Sequence, residues 1–142
     1  MSNTQYVFIN KSNIPTREQL QRAIDKCGYD LILDPELSLE KDEGFSPCVL
    51  NNTPDVGFEL LCEPTSDTIR DDPDLAEIIG DKDTCILLSW GGSMEDCLCA
   101  VIVSYVLVKD FGAITSYEGE EIDTLESLLE SISELLSEID SS

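Results

Sequence analysis

The side chains in this chain that can do chemistry are carboxylates and thiols, and histidine is missing altogether. Without an imidazole, neither a Ser-His-Asp nor a Cys-His arrangement can be built, and the commonest general base and metal ligand is gone. Six cysteines stand at positions 27, 48, 62, 85, 97 and 99. A cysteine nucleophile would need another base or a depressed pKa, and only Cys27, after Lys26, has a basic neighbour in sequence. Cys97 and Cys99 look like a metal pair until they are placed on a helix, where residues two apart do not face each other. The other cysteines lack the CxxC spacing of zinc sites, so all six read as reduced core residues.

Two further motifs bear on chemistry. Trp90-Gly91-Gly92-Ser93 lies between a predicted strand and a predicted helix, where phosphate loops occur. Its spacing matches neither GxxxxGKS nor GxGxxG, and Glu95 and Asp96 in the first helical turn would repel a phosphate. Ser93 is sufficiently explained as a helix N-cap. The densest acid clusters are Asp71-Asp72-Pro73-Asp74 and Glu118-Gly119-Glu120-Glu121-x-Asp123. Neither fits the EF-hand loop, so they suit at most incidental weak Ca²⁺ binding. No catalytic residue, cofactor or metal site is expected.

The elements that must position these residues belong to one domain, residues 1–142, long enough to bury a self-sufficient core. QYVFIN (5–10) reads as a strand, and Thr16 with Gln19 forms a capping box for a helix over 16–27, stopped by Gly28. YDLILD (29–34) is a second strand. SPCVLNN and VGFELLCE flank an Asn51-Asn52-Thr53-Pro54 turn as a hairpin. One short helix is expected near 73–79, capped by Asp72 with Pro73 at its first position. TCILLSW (84–90) is nearly continuously apolar and reads as a central strand. Ser93 opens a long helix, about 94–109, apolar nearly all round and therefore buried. AITSYEG (113–119) is a further strand or extended arm, and an acidic helix over 124–139 closes the chain. The order β-α-β-β-β-α-β-α-β-α predicts an α+β fold with a largely antiparallel sheet.

Charge is the outlier. Eight basic residues against thirty acidic ones give a net charge of −22, a field that repels nucleic acid and anionic membrane and attracts basic proteins and cations. It is uneven: Lys11, Arg17, Arg22 and Lys26 leave the N-terminus slightly basic, whereas residues 110–142 hold ten acids and no base. No secretory signal is visible, and the apolar run at 97–108 is too short to span a bilayer, so a cytoplasmic protein is expected.

The closing helix is the most informative segment. Leu125, Leu128, Leu129, Ile132, Leu135, Leu136 and Ile139 form an apolar stripe that must be buried on the body or on a partner. Asp123 is placed to cap it, with Glu126 at the third helical position as its box partner. Glu126, Glu130, Glu134 and Glu138 recur every fourth residue with no lysine or arginine after Lys109. Each like-charge pair at that spacing costs about 0.2–0.5 kcal/mol, and leucine burial at about 1.5–3 kcal/mol per side chain outweighs the column. The plain account is that acids are good helix formers and keep a leucine-rich segment soluble. The functional account is a pre-organised anionic face awaiting a basic protein, since complementary charge speeds encounter and selects partners.

TREQLQRAI, GYDLILDP, GFSPCVLN, VGFEL, LSWGGSMEDCLCAVIVSYVL and DFGAITSYEGEEI together resemble small acidic immunity proteins of bacterial polymorphic toxin and type VI secretion effector systems. The resemblance spans most of the chain and rests on structural motifs, so no family site is carried over. It implies a cytoplasmic antidote that binds a cognate toxin domain, often by plugging its active site with acidic residues. The expectation is a non-enzymatic inhibitor of a basic effector, with no nucleic-acid or membrane partner. Glu118, Glu120, Glu121 and the column Glu126, Glu130, Glu134, Glu138 are its binding residues, and Asp71, Asp72 and Asp74 a second patch. Three alternatives differ in what they require. A DNA mimic would compete with duplex DNA on unrelated basic proteins, and an adaptor or chaperone would leave residues 124–139 undocked. An enzyme would need a concave pocket with converging polar groups.

Overall fold

The computed structural model describes residues 3–141. Its centre is a six-stranded antiparallel sheet of β1 (Asn3–Ile9), β2 (Leu31–Ile32), β3 (Gly44–Leu50), β4 (Thr53–Pro64), β5 (Thr84–Trp90) and β6 (Ile114–Tyr117). Their spatial order is β2-β3-β4-β5-β1-β6, so the first strand is inserted between β5 and the last one. The fold is the α+β class, with an antiparallel sheet and helices packed on it.

β3 and β4 form the expected hairpin, and its two loop residues, Asn51 and Asn52, have φ of 47° and 68°. Positive φ at both positions is the turn whose twist matches the flanking strands, and asparagine tolerates it better than most residues. Farther along, the Gly57 position admits no side chain, because a Cβ there would drive into the Ser46 carbonyl oxygen. The Gly57 N–H instead donates to Asp96 Oδ1 at 2.9 Å, tying β4 to the start of the central helix.

That helix, α4 (Met94–Phe111), is capped by Ser93, whose side chain accepts from the Asp96 N–H, and ends at Gly112 in the left-handed conformation. Residues 98–107 along it are all buried, as an all-round apolar helix requires. On either side of it pack α1 (Arg17–Lys26) and α5 (Leu125–Ser141). Alternation along the strands puts Val7, Ile9, Ile86 and Leu88 under α4, in the main core. Phe8 and Cys85 point the other way, into a second cluster with Leu75 and Ile79. The second cluster is covered by α2 (Thr65–Asp71), a 3-10 turn at Pro73–Leu75 and α3 (Ala76–Ile79).

Two expectations are corrected. The strand predicted at 29–34 has only two ladder residues, Leu31 and Ile32. Helix α1 takes the neighbouring backbone groups: Gln21 bonds the Leu31 carbonyl and the Leu33 N–H, and Arg17 bonds the carbonyls of Leu33 and Asp34. The single helix expected near 73–79 is the second half of a longer helical segment beginning at Thr65. Asp72 and Pro73 do open a helical turn as predicted, but it is 3-10. Among the described residues, no helix is long and apolar enough to cross a membrane.

Candidate functional site

The ten candidate carboxylates all lie on the exposed surface, and none forms an ion pair among the described residues. The ion pairs there are Arg70 with Asp67 and Lys109 with Asp110, each at 3.4 Å. Arg17 spends its guanidinium on the carbonyls of Leu33 and Asp34.

The fold merges two clusters that lie far apart in sequence. Gly119, with φ of 75°, sits so close to the 3-10 turn that a Cβ there would meet Leu75 Cδ2 at 2.7 Å. This brings the loop carrying Glu118, Glu120 and Glu121 against the 3-10 turn that holds Asp74 and is capped by Asp72. Tyr6 responds to both groups: burial raises its hydroxyl pKa, and the charges of Asp72, Glu118 and Glu63 raise it further. Glu118 also has a structural task. Its N–H donates to the Thr4 carbonyl at 2.9 Å and its Oε1 accepts from the Thr4 N–H at 3.1 Å, extending β6 pairing past Tyr117. Glu120 closes the turn by donating its N–H to the Tyr117 carbonyl at 3.2 Å.

The column on α5 winds. Four residues advance an α-helix by about 400°, so successive glutamates rotate by about 40°. Glu134 and Glu138 therefore reach the lining of a cleft beside the helix, whereas Glu126 and Glu130 stay on the outer surface. The apolar stripe docks on the body: Leu128 and Ile132 are buried, and Leu135, Leu136 and Ile139 pack against the same core. Leu125 and Leu129, at its edge, remain 40% and 41% exposed. An undocked segment at 124–139, which the adaptor reading requires, is not what this chain has.

The predicted cap of α5 is also corrected. Thr124 takes that place, its Oγ1 accepting from the Ser127 N–H at 3.0 Å while Ser127 Oγ accepts from the Thr124 N–H at 2.9 Å. Asp123 is drawn inward instead. Its Oδ2 accepts from Gln5 Nε2 at 2.6 Å and from Thr115 Oγ1 at 3.0 Å. Burial raises its carboxyl pKa above the ordinary value, the Glu121 charge adds to this, and the two hydrogen bonds oppose it.

The cleft occupies about 470 Å³ between the sheet, the N-terminal half of α4 and α5. Met94, Cys97, Val101, Leu128 and Leu135 contribute its apolar surface. Trp90 and Tyr117 lie in its wall with ring centroids 6.2 Å apart. Tyr117 donates its hydroxyl to Asn3 Oδ1 at 2.7 Å, and Asn3 Nδ2 donates to the Gly91 carbonyl at 2.9 Å, which fixes ring and rim together. Among the described residues its carboxylates are Asp123, Glu134 and Glu138, and no lysine or arginine lines it.

Sequence reasoning missed this cleft because β1, β5, α4, β6 and α5 each supply part of it. The available signals were the chain's lone tryptophan followed by two glycines, and an aspartate inside an acid cluster. Burial pushes the thiol of Cys97, in the cleft wall, up to about 11 and that of Cys85 up to about 12. Cys99 is raised too, first by its hydrogen bond with the Cys48 thiol and then by burial. Among the described residues, no group of cysteines and carboxylates is arranged to hold a metal ion.

Compared with known proteins, the chain matches no family model, no curated protein and no solved structure.

Proposed function

We propose that this chain is a non-enzymatic immunity-type protein that acts in the cytoplasm and neutralises a cognate bacterial toxin by applying its acidic surface to a basic cleft. The observation that carries this reading is the unpaired state of the candidate carboxylates: ten exposed acids, none in an ion pair among the described residues, on a chain of net charge −22. Exposed carboxylates left without counter-charges create a field that accelerates encounter with a basic surface and disfavours other partners. The fold supplies two such surfaces, the loop cluster joined to the 3-10 turn and the glutamates of α5.

The reading is tested by binding to the toxin encoded beside this gene, at low and at high salt, with lysine replacements made in two blocks. One block covers Glu118, Glu120, Glu121, Asp71, Asp72 and Asp74, and the other covers the α5 glutamates. Reversal of the contacting block should abolish binding and protection, and salt should weaken the wild-type complex. Binding indifferent to both blocks would overturn the electrostatic mechanism. Competition with duplex DNA on several unrelated basic proteins would instead favour a DNA mimic.

A further inference from the structure

The cleft beside α5 combines three properties. Its apolar wall can shed water around an aliphatic chain. It carries an aromatic pair, with Tyr117 43% exposed and Trp90 only 7% exposed behind it. Its charged groups, Asp123, Glu134 and Glu138, all have one sign. Asp123 takes both of its side-chain hydrogen bonds on Oδ2, so Oδ1 has no partner among the described residues.

We infer that this cleft is the receptor for a single arginine side chain presented by the partner protein. Arginine combines an aliphatic stem, a planar cation that stacks on aromatic rings, and a fork of donors that matches carboxylates. A neutral apolar side chain would leave the carboxylates desolvated without a partner, and an acidic one would be repelled. The absence of lysine and arginine from the lining among the described residues supplies the charge complementarity, and the bonds from Tyr117 to Asn3 to Gly91 hold the aromatic wall in place before the ligand arrives. The proposal rests on the immunity reading for the identity of the partner, but the recognition chemistry can be tested on the isolated chain.

Trp90 is the only tryptophan and lines this cleft, so its fluorescence reports on it. Because Trp90 also borders a hollow with Glu59 and Asp96, the α5 variants assign the signal. The probe is an acetylated, amidated pentapeptide with arginine between alanines. Its control is the same peptide with citrulline, which keeps the shape and removes the charge. At low salt the arginine peptide should shift Trp90 emission saturably, and the citrulline peptide should need at least about tenfold higher concentration, because the carboxylates gain no ionic partner. The double variant Glu134→Gln/Glu138→Gln should weaken the arginine peptide about fivefold, the effect of two exposed ion pairs. Glu18→Gln/Glu43→Gln removes the same net charge outside the cleft and should leave binding unchanged. Far-UV circular dichroism confirms that α5 persists in the variants, and titration calorimetry repeats each measurement without relying on fluorescence.

Equal binding of both peptides, equal weakening by both double variants, or no saturable heat and no emission shift would overturn the proposal. Those outcomes leave the immunity reading standing if the toxin still binds in a charge-dependent manner. If the peptide binds as described but no toxin does, the immunity reading fails and the arginine receptor stands.

Discussion

Helices α4 and α5 differ by one residue in length, 18 against 17, and pack against each other, yet their sequences answer to different pressures. α4 follows the rules for a stable helix at both ends and is buried between them. It has a serine cap, acids in its first turn, Lys109 in its last turn, a left-handed glycine at its end and an unbroken run of buried residues. α5 obeys them on its inner side only. Thr124 and Ser127 cap it and Leu128 and Ile132 anchor it, but its last turn has no base and its outer side repeats glutamate. Burial accounts for nearly all of α4. It accounts for a stripe of α5, and the rest of that helix is free to serve something other than the fold.

The sharpest way to break this contrast is to remove equal side chains from each helix. Leu98, fully buried on α4, should cost about 2–5 kcal/mol on replacement by alanine, the usual range for a deleted core leucine. Leu129→Ala should cost less than about 1 kcal/mol, since that side chain is 41% exposed. Denaturant midpoints of the two variants measure the difference. Equal costs would mean that Leu129 is covered in solution, and the two helices would then be alike.

A middling effect is expected at the start of α5. Thr124→Ala removes the side chain that accepts the Ser127 N–H and should destabilise the protein by about 1 kcal/mol, read by thermal or chemical unfolding. An unchanged midpoint would return the capping role to Asp123.

That cap shows where sequence stops being legible. Local signals worked wherever the deciding partner was close in the chain. The Thr16–Gln19 box, the Asn51-Asn52 turn, Ser93 at the start of α4 and Gly112 at its end all act within a few residues. Asp123 fits the same local rule but is claimed by Gln5, 118 positions away. β2 fails for a similar reason, because Gln21 and Arg17 take backbone groups that a ladder would have used. Helix α2 was hidden because its buried residues Thr65 and Thr68 are polar and give no apolar period; their hydroxyls donate to the Lys82 carbonyl and to Glu63. The acidic surface was readable as composition. Its division was not, since the rotation of α5 against the body decides which glutamates reach the cleft.

The charge column of α5 separates the two helices most directly. Glu130 stands between Glu126 and Glu134, so Glu130→Lys turns two repulsive i,i+4 pairs into attractive ones. With each pair worth about 0.2–0.5 kcal/mol in either sense, the variant should gain about 0.8–2 kcal/mol of stability at low ionic strength. Most of the gain should vanish near 1 M salt, where the screening length falls to about 3 Å. Because Glu130 belongs to the block proposed to meet the toxin, the same variant should bind that partner less well. A helix improved by losing a glutamate, at the expense of the complex, would establish that its outer side is kept for recognition. If Glu130→Lys left stability unchanged at low salt, the glutamates would not be repelling one another and the acidic side of α5 would need no functional explanation.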